Sequence, residues 1–366
     1  MAKQDSIKAR GVIAREPGKP GVLEEFNVPL PGPGEALVRL LASGVCHTDL
    51  SAKNGVFGTE HFPFLLGHEG SGIVQQVGEG VTNVKEGDYV IMAWRAPCGQ
   101  CRFCKVGQPH LCAASLNATQ KMTTEDGKEL TPILGIGTFC THTLVHSHQC
   151  IPISDGLPPE QMSLIGCGVM TGVGAALYSA NVRPGQSVAV IGCGGVGDSV
   201  IMGAKLAGAT TIIAVDVDPQ KLEWAKGFGA THTVNPREGD PVAKIKEITG
   251  GFGVNASFEA VGRPETIDTA LWCRDLAGTC VIIGVAGQDA KLELPVAKFF
   301  DLGGSLRISW YGDCLPTRDF PLLAAWYAQG QLDLDGVVTR TISLDETEEA
   351  FHAMERGETL RSVIRL

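Results

Sequence analysis

Ser187-Val-Ala-Val-Ile191, followed at once by Gly192-Cys-Gly-Gly-Val-Gly197, is the stretch on which the fold turns. The first five residues read as a short strand buried on both faces. The glycines after it permit a tight turn whose backbone can approach a ligand, and the apolar run to about Ala207 reads as a helix. Strand, glycine turn and helix in that order gather free amides and the positive end of a helix dipole at one point, which suits a pyrophosphate. Gly192, Gly194, Gly195, Val196 and Gly197 are therefore the expected backbone contacts of a dinucleotide. A glycine pattern alone says little; here the flanking strand and helix have the right order.

Downstream, Thr211 to Val215 reads as a second strand, ending in Asp216 about twenty residues beyond the glycines. A carboxylate there accepts from both ribose hydroxyls and repels a 2′-phosphate, which argues for NAD over NADP. Asp216 could equally cap the helix that opens at Pro219, and both roles can coexist. Lys221 could reach the same ribose. The alternation continues with strands at Thr231 to Val234, Ala256 to Glu259, Cys280 to Gly284 and Leu306 to Trp310. Helical patterns fill Pro219 to Phe228, Pro241 to Thr249 and Glu265 to Leu276. The expected class is α/β, with a doubly wound parallel sheet over residues 169–310.

Upstream the pattern changes. Ala9 to Ala14, Val22 to Val28 and Ala36 to Leu41 read as β segments separated by Pro and Gly clusters, as do Gly72 to Val77, Tyr89 to Met92 and Thr138 to Val145. This is an antiparallel, mostly β domain of residues 1–168, which the segment 311–366 is expected to rejoin. Gly44-Val-Cys-His-Thr-Asp49 sets a thiol, an imidazole, a hydroxyl and a carboxylate in consecutive positions. Cys46 could be a thiolate ligand, His47 a phosphate contact, Thr48 a proton relay and Asp49 a support for another ligand. A turn with a buried cysteine explains the same four residues. In Gly67-His68-Glu69-Gly70, His68 could be a second ligand and Glu69 could exchange with water on the metal; a hydrogen-bonded turn histidine is the plainer alternative. Cys167, between Gly166 and Gly168, is the natural third ligand, or else a packed helix cysteine. Cys46, His68 and Cys167 together would make a two-sulfur, one-nitrogen zinc site with one position open.

Cys98-x2-Cys101-x2-Cys104-x7-Cys112 is the strongest local signal. Four thiols within fifteen residues can close around one structural zinc ion. An iron–sulfur cluster is the rival, and the missing proline and second cysteine set count against it. His142, His146 and His148 could share a strand face, although hydrogen-bonding histidines are commoner there than a third metal. Cys140, Cys150, Cys193, Cys273, Cys280 and Cys314 read as core or helix thiols.

The bulk numbers set limits. A chain of 366 residues suggests two domains, and 44% apolar residues a globular one. A formal charge of −10 makes nucleic acid or an anionic membrane an unsuitable partner. No signal pattern and no bilayer-length apolar run are apparent, so a cytoplasmic location is expected, where twelve cysteines serve as ligands or core thiols.

Taken together, Gly-Val-Cys-His-Thr-Asp (44–49), Gly-His-Glu (67–69), the lobe at 98–112, Gly-Cys-Gly-Val-Met-Thr-Gly (166–172) and the glycine turn at 192–197 resemble the zinc-dependent medium-chain alcohol dehydrogenases over the whole length. The resemblance is closest to mycothiol-dependent formaldehyde dehydrogenases, on Asn117-Ala-Thr-Gln-Lys-Met122, Thr131-Pro-x-Leu-Gly-Ile-Gly137 and Trp310-Tyr-Gly-Asp-Cys-Leu-Pro316. It implies a GroES-like catalytic domain with a Rossmann coenzyme domain, two zinc ions per subunit and NAD. It implies catalytic zinc on Cys46, His68 and Cys167 with Glu69 behind it, and Asp49 orienting His68. Thr48 would pass on the alcohol proton, and His47 and Arg361 would meet the pyrophosphate. Thr171 and the Val261 and Val285 regions would line the nicotinamide. The expected substrate is a primary alcohol, chiefly the S-hydroxymethyl adduct of mycothiol and formaldehyde. Simple aliphatic or aromatic alcohols are the alternative, and a non-catalytic protein of the same fold the remote one, which would show damaged ligands. A homodimer pairing the Leu306–Trp310 edge is expected; the excursion at 113–138 fits dimeric members better than tetrameric ones. One departure stands out: Ser51 occupies the position where members that pass the proton to water carry histidine.

Overall fold

The computed structural model describes residues 6–56, 58–287 and 289–366. It divides into two compact units. The first comprises Met1–Cys167, Leu315–Gly330 and Leu334–Leu366, the second Gly168–Cys314 with Gln331–Asp333. Tyr311–Cys314 and Gln331–Asp333 thus belong with the second unit rather than with the first, and Gly168 opens it.

The first unit is built on two sheets. One runs Thr123–Thr124, Val22–Pro29, Ser6–Ala14, Phe64–Leu65, Thr131–Pro132. The other runs Cys150–Pro152, Tyr89–Met92, Gly70–Val77, Glu35–Gly44, Arg361–Arg365, Val338–Ile342, with His142–His146 also pairing Glu35–Gly44. Most pairings are antiparallel, as Pro/Gly-punctuated short strands dictate. The C-terminal strand enters this sheet beside Glu35–Gly44, with Val363 opposite Gly44. That pairing puts Arg361 next to the metal-site motif. Beneath the motif lies a cluster of Val45, Leu50, Leu66, Phe139, Phe351 and Ile364. Losing one such large buried side chain costs about 2–5 kcal/mol, so the cluster holds the two ligand-bearing turns firmly.

The second unit contains a six-stranded parallel sheet. Its order is His232–Val234, Thr211–Val215, Ser187–Ile191, Val254–Glu259, Arg274–Ile282, Ser305–Ile308. The chain adds strands first to one side of Ser187–Ile191 and then to the other, which makes the edge of that strand the switch point of a Rossmann sheet, where dinucleotides bind beyond the carboxyl ends.

Several features differ from expectation for physical reasons. The helix expected to Leu276 ends at Trp272, and Arg274 already begins a strand. The fully buried Arg274 side chain donates through Nε to Leu271 O, at the helix end, and through Nη1 to Gly278 O, drawing the chain over into the strand. The strand expected from Thr138 begins at His142. Thr138 and Phe139 instead donate their amides to Gly67 O and Leu66 O, clamping the turn that carries His68. His148 lies in a 3-10 turn beyond that strand, so the three histidines do not share one strand face. Finally, Pro159–Ser179 is long and apolar enough to cross a bilayer by length and composition, contrary to expectation; 78% of its most apolar 18-residue window is buried inside the protein, which marks a core helix.

Candidate active site and metal centres

Ser43 and Gly44 end a strand, and Cys46 caps the helix His47–Lys53. Gly44 is required here, because a Cβ would stand 2.2 Å from Glu69 Oε2. His68 comes from the turn after Phe64–Leu65, where Gly67 has φ +92° and its amide is 3.1 Å from Asp49 Oδ1. Asp49 ties the two segments together. Its Oδ2 accepts from Cys46 N at 3.1 Å and its Oδ1 pairs with His68 Nδ1 at 2.7 Å. Cys167 lies within a π-helical turn, Ile165–Val169, a local widening common at functional sites.

One donor atom each from Cys46, His68, Glu69 and Cys167 lie within 4.8 Å of one another. His68 is fully buried and its Nε2 makes no hydrogen bond. A buried imidazole nitrogen facing two thiol sulfurs, with its other nitrogen held by a carboxylate, is the donor set of a zinc site. The protonation pattern agrees. The hydrogen bond with Cys167 and the charge on His68 hold the Cys46 thiol well below its ordinary pKa against burial. The same bond and burial push Cys167 well above. Glu69, fully buried, forms an ion pair with the buried Arg361. Burial raises the Glu69 pKa to about 7, with the Arg361 charge opposing. Arg361, the residue expected to meet the pyrophosphate, is held by this pair beside the candidate metal ligands. His47 is exposed and Thr48 half-buried on the helix His47–Lys53.

The four sulfurs of Cys98, Cys101, Cys104 and Cys112 form a second group within 4.8 Å. Cys101–Cys104 and Cys98–Cys112 sulfurs are 3.6 Å apart, and Cys101–Cys112 3.9 Å. Zn–S bonds of about 2.3 Å at tetrahedral angles place sulfurs roughly 3.8 Å apart, so the set fits one ion. Backbone amides of Cys104 and Ala113 lower the Cys101 pKa to about 6, while burial, then the Cys101 thiol, raise Cys104 to about 12. Among the described residues no third such group occurs, so His142, His146 and His148 form no metal cluster.

In the second unit Gly194 caps the helix Gly195–Leu206. A Cβ on Gly194 would meet nothing within 4 Å, so the turn has open space in front of it. A Cβ on Gly197 would lie 1.8 Å from Gly192 O, which makes that glycine obligatory for closing the turn. Asp216 accepts from Cys193 N at 2.8 Å and Asp218 N at 2.9 Å. Its carboxylate is thereby fixed beside the turn, while the cap of the helix Pro219–Phe228 is Asp218, not Asp216. Lys221 is half-buried on that helix and Thr171 half-buried on Met170–Gly174. Val261 and Val285 are exposed, Val285 at 88%. Sequence reasoning missed Asp198, in the first turn after the glycines. It is fully buried and neither carboxylate oxygen makes a hydrogen bond. Its signal was a charged residue where the helix should present an apolar one.

A Rossmann unit joined to a mostly β unit with two cysteine-rich metal sites defines a zinc-dependent dehydrogenase. Residues 32–155 match the alcohol dehydrogenase GroES-like domain and residues 195–329 the zinc-binding dehydrogenase domain. S-(hydroxymethyl)glutathione dehydrogenase of Escherichia coli O157:H7 is 38% identical over 98% of this chain and all of its own. Among solved structures, the alcohol dehydrogenase zinc-binding domain protein from Burkholderia ambifaria superimposes with a TM-score of 0.94 at 33% identity, over 99% of this chain and 100% of its own. Benzyl alcohol dehydrogenase from Acinetobacter calcoaceticus gives 0.91 at 30%, over 98% and 99%. The chain belongs to the zinc-dependent medium-chain alcohol dehydrogenase family.

Proposed function

We propose that this protein transfers hydride from a primary alcohol to NAD, and that the alcohol is the S-hydroxymethyl adduct formed by formaldehyde and a low-molecular-weight thiol, mycothiol in the first instance. The observation that carries the reading is the orphan Nε2 of buried His68 facing the Cys46 and Cys167 sulfurs. Zinc on those three residues would supply a Lewis acid that acidifies a hydroxyl, and NAD would supply the hydride acceptor. The chain's own groups do the rest. With zinc bound, Asp49 would hold the His68 proton on Nδ1 and leave the Nε2 lone pair to the ion. Thr48 accepts and passes on the alcohol proton, as the family resemblance implies. Asp216 is positioned for the adenosine ribose and against a 2′-phosphate. A putative zinc-binding dehydrogenase from Sinorhizobium meliloti, 27% identical over 98% of this chain and 100% of its own with a TM-score of 0.83, is bound to NADP, so the dinucleotide class accords with the family.

Oxidation of the adduct, R–S–CH2OH, by NAD gives the S-formyl thioester, NADH and a proton. The relatives named for the glutathione adduct support this substrate class; the three motifs at 117–122, 131–137 and 310–316 favour mycothiol. Turnover of formaldehyde with mycothiol, with glutathione and with neither is the test. Equal rates in all three sink the adduct reading and leave the second one, a general alcohol dehydrogenase, which the likeness to benzyl alcohol dehydrogenase favours. The protein is proposed to act in the cytoplasm as a homodimer. The edge strand Ser305–Ile308, with exposed Ile308 at its end and exposed Trp310 beyond it, is the proposed pairing surface.

A further inference from the structure

The motif Trp310–Pro316 holds the most unusual backbone in the second unit. Tyr311, Gly312 and Asp313 are consecutive and all left-handed, with φ of +55°, +67° and +51°. Glycine adopts this region freely, aspartate with some tolerance, tyrosine rarely. Such a run persists only where its surroundings over-determine it. Here they do. Asp313 Oδ2 accepts from Ser179 Oγ at 2.7 Å. A serine hydroxyl has one proton, so Ser309 Oγ, 2.8 Å away, must be the donor in its contact with Ser179. Arg307 Nη1 donates to Ser179 O at 2.7 Å. The serine–aspartate anchor is thus locked from both sides.

What the anchored loop touches is the helical turn Met170–Gly174. A Cβ on Gly312 would lie 2.6 Å from Met170 O, 3.0 Å from Thr171 O and 3.1 Å from Thr171 Cα. A Cβ on Gly174 would lie 2.3 Å from Gly312 O and 2.4 Å from Cys314 Sγ. Two backbones are in direct contact, glycine against glycine, with no side chain between them to absorb a displacement. Wherever the loop goes, Thr171 follows.

We propose that Gly312 and Asp313 are positioning residues that set the place of Thr171 against the nicotinamide ring, without contacting the adenosine end of the cofactor. The proposal rests on the NAD reading above, in which Thr171 borders the nicotinamide. It assigns work to the strain. The left-handed run brings the Gly312 Cα face against the Thr171 backbone and Gly312 O against Gly174, contacts an ordinary extended loop would not make. A loop that merely closed the fold would support both ends of the dinucleotide equally. A loop that sets Thr171 acts on the nicotinamide end alone.

The experiment compares NADH with ADP-ribose, which carries the adenosine and pyrophosphate but no nicotinamide. Zinc-loaded full-length protein and the variants Gly312→Ala, Asp313→Ala and Asp313→Asn are used. Binding is read by NADH fluorescence and by competition with ADP-ribose, and turnover by KM for NAD and kcat on benzyl alcohol. Gly312→Ala and Asp313→Ala should weaken NADH binding and kcat by roughly ten- to a hundredfold, as a small misplacement near the reacting ring does. ADP-ribose affinity should stay within about twofold. Asp313→Asn should restore near-normal NADH binding, since its amide oxygen still accepts from Ser179 and asparagine tolerates the left-handed region. Parallel losses for both ligands, no loss for either, or Asp313→Asn behaving as Asp313→Ala would overturn the proposal. Should Gly312→Ala not fold, the Asp313 pair still decides. Wild-type protein that binds neither ligand would overturn the cofactor reading itself, an outcome separate from those three.

Discussion

Asp49 and His68 share a hydrogen bond of 2.7 Å in a fully buried setting, and the same carboxylate holds the Cys46 amide with its other oxygen. One side chain therefore fixes both the tautomer of one ligand and the backbone of another. Removing its charge with Asp49→Asn should lower zinc affinity at the Cys46–His68–Cys167 site by about 10–100-fold, the usual effect of losing a ligand's supporting carboxylate. Zinc retained after graded chelator dialysis measures it. Retention equal to the wild type would show that His68 is not held for metal.

The lobe at 98–112 makes a separate prediction. Its two short helical turns, Arg102–Lys105 and Pro109–Leu111, contain no buried residue. Apolar packing cannot hold them, so the four sulfurs must. Cys104→Ser should lower bound zinc from two ions per chain to one and lower the melting temperature, while the remaining ion resists removal as before. Elemental analysis beside thermal melting checks both. A variant that still binds two ions would refute a metal role for Cys104.

Asp216 both accepts from the Cys193 amide of the glycine turn and presents its carboxylate near that turn's open side. Asp216→Ala should raise the KM for NAD at least tenfold, since a site built for hydrogen bonding loses its partner. It should also narrow the preference for NAD over NADP by roughly a hundredfold as the negative charge goes. An unchanged ratio of kcat/KM for the two cofactors would mean that discrimination lies elsewhere.

Ser51 sits on the helix His47–Lys53, four residues after His47 and three after Thr48, hence one turn away on the same side. If the proton leaves along this face, Ser51→His should add a titrating group to the path. Alcohol turnover should then acquire a step near a pH of about 6.5, with rates raised severalfold above it. A pH profile superimposable on the wild type would place the exit elsewhere.

These relationships were legible in the sequence to different depths. The glycine turn with its flanking strand and helix was readable because every part is adjacent in the chain. Residue type singled out Cys46, His68 and Cys167, but their convergence depends on the sheet register that seats Ser43 opposite Gly70. The Arg361–Glu69 pair was not legible, because the two residues are 292 positions apart and meet only once Arg361–Arg365 pairs with Glu35–Gly44. The run Glu265–Leu276 looked helical throughout, since nothing local signals that the Arg274 side chain will reach back to the helix end. The triple left-handed run at Tyr311–Asp313 has one glycine to announce it, too little to betray the other two.

Asp198 was missed for the opposite reason: its one local sign, a carboxylate early in an otherwise apolar helix, is easily read as ordinary, and burial makes it unusual. Burial pushes its pKa well above the carboxylate range, the Asp216 charge pushes it further, and Lys221 opposes. The carboxyl is therefore held in its protonated form in the fold and ionised in the unfolded chain across a window above the ordinary pKa of about 3.9. Between those two values the native state binds more protons than the unfolded state, so stability falls as pH rises. An Asp198→Leu variant has no proton to hold. Its melting temperature should exceed the wild type's at pH 8 by more than at pH 5, with each kcal/mol of relief reading as about 2–4 °C. Asp198→Asn should show the same pH trend with a smaller gain, because an amide without partners still carries a desolvation cost. Thermal melting of the three proteins across pH 5–8 supplies the measurement. A gap that stays constant with pH, or closes as pH rises, would show that Asp198 is ionised and paired in the folded protein.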